Sequence, residues 1–183
     1  MKTRVRRDRR PPLAVLAGAS LALLVTCGGS ARESASDVAG AAAAATIPDF
    51  ELVSLGGGTL HRDDFAGRIV LYEFWATWCA PCHIQVEILK ELYPRARSAG
   101  VEFVAVASGE PEEIVRRWAA EHPLPYPSLL DPDERLSTAL EVLGLPTLVV
   151  ADAAGVIVWR QTSLTDAETL VDVLRRAGAA VAD

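Results

Sequence analysis

The chain has 183 residues, of which 50% are apolar and 23% charged, and its formal net charge is −6 at pH 7. This length and apolar content suit one globular domain with a complete core, and they leave some chain over for a leader. The excess of acidic residues argues against a nucleic-acid partner, because such binding depends on clustered Lys and Arg that neutralise phosphates.

The first 26 residues are typical of an export signal. Several basic residues precede an apolar run from Leu13 to Val25, which is too short for an ordinary transmembrane helix but suits a signal peptide. Leu24-Val25-Thr26-Cys27 resembles the bacterial lipoprotein lipobox, although Thr26 departs from the usual Gly, Ala or Ser. We therefore expect residues 1–26 to be a lipoprotein-type signal peptide and Cys27 to carry a lipid that anchors the protein to the membrane. An ordinary signal peptide that ends near Cys27 is the alternative.

Residues 27–46 are small and polar, end in a run of alanines and lack an apolar period. They predict a flexible tether between the lipid anchor and the folded domain. The folded domain is predicted to occupy residues 47–183.

Strand and helix patterns alternate along this domain. A nearly continuous apolar run at 69–75 predicts a strand buried on both faces, and it leads through a turn into a helix at 82–98. The other predicted elements are a hairpin within 50–60, a strand at 101–107, helices at 111–121, 131–143 and 165–177, and a hairpin at 145–160. A strand-helix-strand crossover followed by a hairpin and a helix predicts an α/β fold. Its mixed central sheet is flanked by helices and carries an extra N-terminal β-hairpin.

The motif between strand and helix is compatible with two chemistries. Cys79 to His83 spell the C-x-x-C-H pattern that tethers a c-type haem, whereas Trp78 to Cys82 are typical of a dithiol that cycles through a disulfide. Small c-type haem proteins are mostly helical, and the only methionine that could be a second iron ligand is Met1, within the signal. A structural zinc site usually needs four ligands, and no second Cys-x-x-Cys pair exists. We therefore expect no metal and no cofactor.

The sequence contains the features that disulfide exchange requires. Cys79 precedes the predicted helix, where backbone N–H groups and the helix dipole stabilise a thiolate, so it is the expected attacking thiol. Cys82 lies one turn further along and is the expected resolving thiol. Pro81 is expected to hold the turn, and Trp78 offers a flat, partly apolar surface beside the attacking sulfur.

The stretch Phe74-Trp75-Ala76-Thr77-Trp78-Cys79-Ala80-Pro81-Cys82 closely resembles the active site of TlpA/ResA-like thioredoxin-fold proteins. This exported branch includes reductants of cytochrome c maturation. The resemblance continues in Ile47-Pro48-Asp49-Phe50 and Gly144-Leu145-Pro146-Thr147, and it covers essentially the whole mature domain. It implies a thioredoxin fold and a cis peptide bond before Pro146, which would face the dithiol. It also implies that the backbone of Leu145 pairs with an extended partner segment.

The same resemblance implies the partners and the place of action. These are disulfide-containing exported proteins as substrates and a membrane electron-donor thiol protein, in the periplasm or cell envelope. Whether the dithiol acts as a reductant or an oxidant stays open, because its reduction potential relative to its compartment decides the direction. A redox-inert peptide-binding module and a thiol peroxidase are the alternative functions.

Three residues depart from the family pattern: Glu73, Gln85 and Glu87, the last of which replaces the family's usual helix proline. Glu73 stands where thioredoxins often have a buried Asp and where the exported branch commonly has Asn. Burial in the strand should raise the pKa of its carboxyl, which could then accept or relay the proton of Cys82 through a water. In the alternative, Glu73 reaches the end of the sheet and is an ordinary surface acid. Gln85 stands where reductants of this branch often carry Glu, so a second acid is missing.

Overall fold

A computed structural model describes residues 45–182. The predicted signal peptide, the lipidation candidate Cys27 and nearly all of the predicted tether lie outside the described residues. The strands are β1 (Glu51–Ser54), β2 (Thr59–His61), β3 (Ile69–Trp75), β4 (Val101–Ser108), β5 (Ser128–Asp131), β6 (Thr147–Ala151) and β7 (Ile157–Thr162). The α-helices are α1 (Ala80–Ser98), α2 (Glu112–Glu121), α3 (Arg135–Ala139) and α4 (Ala167–Arg176), and a short 3₁₀ helix spans Arg62–Phe65.

The strands of the described domain form one mixed sheet in the order β2-β1-β5-β4-β3-β6-β7. The central strands β3, β4 and β5 are parallel, whereas β1, β2, β6 and β7 pair antiparallel with their neighbours. Parallel strands require crossover connections, which α1 supplies between β3 and β4. The predicted fold class, a mixed sheet with helices and an N-terminal hairpin, is confirmed.

Both faces of the sheet are covered, which explains why β3 is apolar along nearly its whole length. Leu71 and Trp75 belong to a core cluster with buried side chains of α1, α2 and α4. The alternate residues Tyr72 and Phe74 belong to a second cluster, with side chains of α3 and the 3₁₀ helix. Glu73 is the one acidic residue of this strand, on the same face as Leu71 and Trp75.

The prediction of one helix over 131–143 is wrong. The chain forms the four-residue strand β5, which ends at Asp131, and then only the five-residue helix α3. The carboxylate of Asp131 accepts hydrogen bonds from the backbone N–H groups of Leu136 and Ser137, at 3.3 and 2.9 Å, and from the Ser137 hydroxyl at 2.7 Å. These bonds satisfy N–H groups at the start of α3 that have no partner within the helix.

Ordered pairing begins slightly earlier than the predicted boundary at residue 47. Thr46 bridges Val156, the Ile157 N–H donates to the Ala45 carbonyl at 2.8 Å, and the Ile47 N–H donates to the Gly155 carbonyl at 2.9 Å. The last two residues assigned to the tether thus belong to the folded unit.

One end of the sheet brings the functional motifs together. Phe74 at the end of β3 is paired with Thr147 at the start of β6, so the turn into α1 and the segment before β6 share this end. Among residues 45–182, no helix combines the length and apolar character needed to cross a membrane.

Candidate active site

Cys79 and Cys82 form a disulfide at the start of α1. The two sulfurs are 2.04 Å apart and the two Cα atoms 5.3 Å apart. Cys79 is the N-cap residue of the helix, and its Sγ accepts a hydrogen bond from the Cys82 backbone N–H at 3.3 Å. A thiolate on Cys79 would therefore lie against the N–H groups and the positive end of the α1 dipole, which favour its ionised form.

The two sulfurs differ in access. Cys82 is fully buried, Cys79 is 4% exposed, and the neighbouring Trp78 is 70% exposed. An incoming thiol or disulfide therefore reaches Cys79 first. Pro81 lies in the first turn of α1, where its missing N–H removes no intrahelical hydrogen bond.

The peptide bond between Leu145 and Pro146 is cis. The next residue, Thr147, donates its hydroxyl to the Gly144 carbonyl at 2.7 Å and lies 2.8 Å from the Thr162 hydroxyl. These contacts tie the segment before β6 to the end of β7. Pro146 is buried and Leu145 partly buried, at the same end of the sheet as the disulfide.

Glu73 lies inside the sheet and not at its end. Its register partners are Ala105 on β4 and Leu148 on β6, and its side chain is fully buried. The alternative of an ordinary surface acid is therefore wrong. Burial raises the pKa of its carboxyl to about 8, while a hydrogen bond from the Tyr126 hydroxyl, at 3.5 Å to Oε2, acts in the lowering direction. Oε1 has no hydrogen-bond partner within the described residues.

Gln85 is also fully buried, and its side chain bonds to the backbone of Thr165 in both directions. Its Nε2 donates to the Thr165 carbonyl at 3.1 Å, and its Oε1 accepts from the Thr165 N–H at 2.8 Å. A carboxylate at this position could not donate to the carbonyl. Gln85 thus joins α1 to the segment before α4.

Sequence reasoning missed a buried acid that holds the turn before Cys79. Glu110, 6% exposed, accepts hydrogen bonds from the backbone N–H and the hydroxyl of Thr77, each at 2.6 Å. His83 Nε2 lies 2.9 Å from the Thr77 carbonyl, to which its N–H form donates. The sequence gives no signal for this role, because Glu110 precedes Pro111 and an acidic first helical turn and is indistinguishable from an ordinary helix-start acid.

Aromatic rings form one wall beside the motif. The Trp118 ring lies 4.5 Å from the Trp75 ring and 5.5 Å from the His83 ring, between ring centroids. Trp118 belongs to α2, so this helix packs against both the end of β3 and the first turn of α1. Within residues 45–182, no group of three or more His, Cys, Asp or Glu side chains is arranged to hold a metal ion.

Fold and motif together define a protein of thioredoxin-like fold that carries a Cys-x-x-Cys disulfide at the start of a helix. The chain belongs to the Redoxin family, whose family model matches residues 42–174.

Individual relatives agree with this assignment. The thiol-disulfide oxidoreductase ResA of Geobacillus kaustophilus (strain HTA426) is 37% identical over 114 residues, which are 62% of this chain and 66% of that protein. The chain thus spans just under two thirds of the length of this relative. The resemblance to ResA-like proteins stated from the active-site motif is confirmed.

Solved structures support the fold. A secreted thiol-disulfide isomerase from Corynebacterium glutamicum superposes with a TM-score of 0.65 at 22% identity, covering 72% of this chain and 84% of that one. The exposed lipoprotein thioredoxin Etrx1 of Streptococcus pneumoniae strain TIGR4 gives a TM-score of 0.62 at 26% identity, with 70% and 99% covered.

Replacing Glu110 with Ala should destabilise the domain and loosen the turn before Cys79. The change leaves the N–H and hydroxyl of Thr77 without their acceptor, at an expected cost of about 2–3 kcal/mol. Urea unfolding of the oxidised protein measures this cost. The rate at which iodoacetamide alkylates reduced Cys79 reports whether the turn before Cys79 has become looser. Glu112→Ala, which removes an exposed acid of the same helix start, is the matched control. Equal stability of the two variants would contradict the assigned role of Glu110.

Glu73 should make the stability of the oxidised protein depend on pH. Its pKa rises from 4.5 to about 8 on folding, so the folded protein holds a proton that the unfolded chain releases. This contribution is complete below pH 4.5 and is lost as pH rises to about 8. Relative to Glu73→Gln, the wild type should lose roughly 2–4 kcal/mol between pH 5 and pH 8.

Urea unfolding at both pH values measures this difference. Glu91→Gln, at an exposed site on α1, should behave like the wild type. Parallel pH curves for the wild type and Glu73→Gln would rule out a proton held by Glu73.

Proposed function

We propose that this protein is a thiol:disulfide oxidoreductase whose working groups are Cys79 and Cys82. The observation that carries the proposal is the disulfide at the start of α1, with Cys79 as the more accessible sulfur. The similarity to ResA of Geobacillus kaustophilus supports the same reaction class.

The reduced protein would act in two exchange steps. The Cys79 thiolate attacks one sulfur of a substrate disulfide, a mixed disulfide forms, and the other substrate sulfur leaves as a thiolate. The Cys82 thiolate then attacks Cys79 Sγ, which releases the second substrate thiol. The substrate has gained two electrons, and the protein is left with its own disulfide. A donor dithiol restores the reduced state by the reverse exchange, and we propose a membrane thiol protein as this donor.

Glu73 is proposed as the group that handles the proton of Cys82. Cys82 attacks only as a thiolate, yet it is fully buried and needs an acceptor for its proton. A carboxyl with a pKa of about 8 exchanges a proton with a thiol at little free-energy cost. Glu73 Oε1 and Trp75 Nε1 lie on the same face of β3 without partners among residues 45–182, which favours a bridging water between Glu73 and Cys82.

Exposed apolar side chains in the segments around the disulfide support a protein substrate. They are Trp78, Ile84, Leu143 and Leu164, exposed by 70, 55, 94 and 45% respectively. We propose that they contact the chain around the substrate disulfide, while the backbone of Leu145 pairs with it as an added strand. Pro81 and Pro146 would fix the shape of this surface. A peptide-binding module without redox chemistry would need the surface but not the disulfide.

Replacing Cys82 with Ser should trap substrates on Cys79, because the mixed disulfide then has no resolving thiol. Non-reducing electrophoresis and mass spectrometry of the purified adducts measure the trapping and identify the partners. Cys79→Ser is the matched control and should yield few or no adducts. Apocytochrome c among the adducts would support a role in cytochrome c maturation, which we propose as the use of the reductant activity. Absence of adducts, together with peroxide consumption by the wild type, would favour a thiol peroxidase.

We further propose that the mature protein is held in the cell envelope by lipid on Cys27. The lipobox-like sequence motivates this, and the similar Etrx1 of Streptococcus pneumoniae is an exposed lipoprotein. Cells fed radiolabelled palmitate should label the wild type and not Cys27→Ser. The processed wild type should also remain with the membrane fraction after a salt wash. An unlabelled wild type released into the soluble fraction would favour an ordinary signal peptide.

A further inference from the structure

The buried carboxyl of Glu73 needs a route by which its proton reaches water. On the side of the disulfide, Cys82 is fully buried and Cys79 nearly so, and both belong to the core cluster on that face of the sheet. The polar protein group that contacts the carboxyl is the hydroxyl of Tyr126, at 3.5 Å from Oε2. Among residues 45–182, Tyr126 is therefore the residue that links this carboxyl by a hydrogen bond to the rest of the protein.

Tyr126 contacts Glu73 and is also one of the residues that line an open cavity of about 690 Å³. The residue is 5% exposed, and its ring packs against Tyr93 and Phe103, with centroids 5.2 and 5.8 Å away. The cavity lies between the end of β1, the helix α2 and the proline-rich segment before β5. Besides Tyr126, its lining includes Leu55, Arg116, Ala119, Pro123 and Ser128.

A second polar group marks this cavity as a place for ordered water. The Ser128 hydroxyl is buried and has no hydrogen-bond partner within residues 45–182, and Ser128 is one of the residues that line the cavity. A buried hydroxyl without a protein partner costs free energy unless water bonds to it. Tyr126 lines the same cavity, two residues before Ser128 in the chain.

We propose that Tyr126 relays protons between Glu73 and water in this cavity. When Cys82 takes the proton of Glu73, the Tyr126 hydroxyl gives its own proton to the carboxylate and accepts one from the water. Tyr126 is unchanged at the end, one proton has moved from solvent to Glu73, and the reverse sequence discharges the acid. The inference rests on the proposed role of Glu73. Tyr126 acts through Glu73 and is a positioning residue.

The surroundings of Tyr126 suit a neutral relay. Burial raises the pKa of Tyr126, and the titratable groups around it, Glu73 from β3 and Glu87 and Tyr93 from α1, raise it further. The phenol therefore stays protonated and exchanges protons without becoming an anion. Tyr93 makes its own hydrogen bond to Glu102, at 2.6 Å, and so belongs to a different network.

The test compares Tyr126→Phe with Tyr93→Phe, which removes a hydroxyl from the same aromatic cluster. Stopped-flow tryptophan fluorescence follows reduction of the disulfide by excess dithiothreitol from pH 5 to pH 9. We expect Tyr126→Phe to slow the reaction at least ~10-fold at pH 9, where Glu73 is mostly ionised and has to take up a proton before it can protonate Cys82, and to leave it close to the wild-type rate at pH 6. In the wild type the hydrogen bond from Tyr126 lowers the pKa of Glu73. The variant lacks this bond, so the midpoint of its pH profile should move to higher pH. Tyr93→Phe should keep the wild-type midpoint and a rate within about twofold of the wild type.

Glu73→Gln separates the two proposals. If Glu73→Gln changes the rate and pH profile while Tyr126→Phe leaves both unchanged, the relay is wrong and the role of Glu73 stands. If Glu73→Gln itself leaves both unchanged, the role of Glu73 is wrong. Equal slowing by Tyr126→Phe and Tyr93→Phe with no shift of either midpoint would show a packing effect and overturn the relay. Urea unfolding confirms that each variant is folded under the assay conditions.

Discussion

The site depends on how the first turn of α1 satisfies its backbone N–H groups. A helix start leaves several N–H groups without i→i−4 partners, and here the Cys82 N–H donates to the Cys79 sulfur at 3.3 Å as well as to the Cys79 carbonyl at 3.0 Å. The same geometry that completes the helix therefore places a sulfur where negative charge is favoured. It also brings the second cysteine one turn along, within bonding distance of the first. Reactivity and local folding share one interaction, so a change that frays this turn affects both.

The buried carboxyl of Glu73 lowers the stability of the folded domain, whereas the apolar side chains of β3 raise it. An apolar residue between Ala105 and Leu148 would complete the core, whereas a buried carboxyl must stay protonated or bear a large desolvation cost. Among residues 45–182 the Glu73 carboxyl receives one long hydrogen bond, from Tyr126, and its Oε1 has no partner. Such incomplete satisfaction is uncommon in a core and is expected where a group must change its protonation state.

Local sequence patterns predicted the parts of the site that are close in the chain. The apolar run of β3, the motif and the start of α1 follow one another directly, so their junction could be inferred from the sequence. The cis bond before Pro146 came from family resemblance, since spacing carries no signal for it. Strand β5 was missed because Ser128–Asp131 is short and follows three prolines. Glu110 and Tyr126 could not be predicted, because their roles arise from contacts with residues distant in sequence.

Three residues that contact the site from outside the motif come from one segment of the chain. Glu110, Trp118 and Tyr126 all lie between the end of β4 and the start of β5, and each contacts the neighbourhood of the dithiol from outside the motif. The strand β3, the helix α1 and the segment before β6 set the position of the sulfurs. The β4–β5 segment sets the hydrogen bonds and solvent access around them. Two proteins with the same Cys-Ala-Pro-Cys motif can therefore differ in thiol chemistry when this segment differs, because the pKa of a buried acid responds to its few remaining partners.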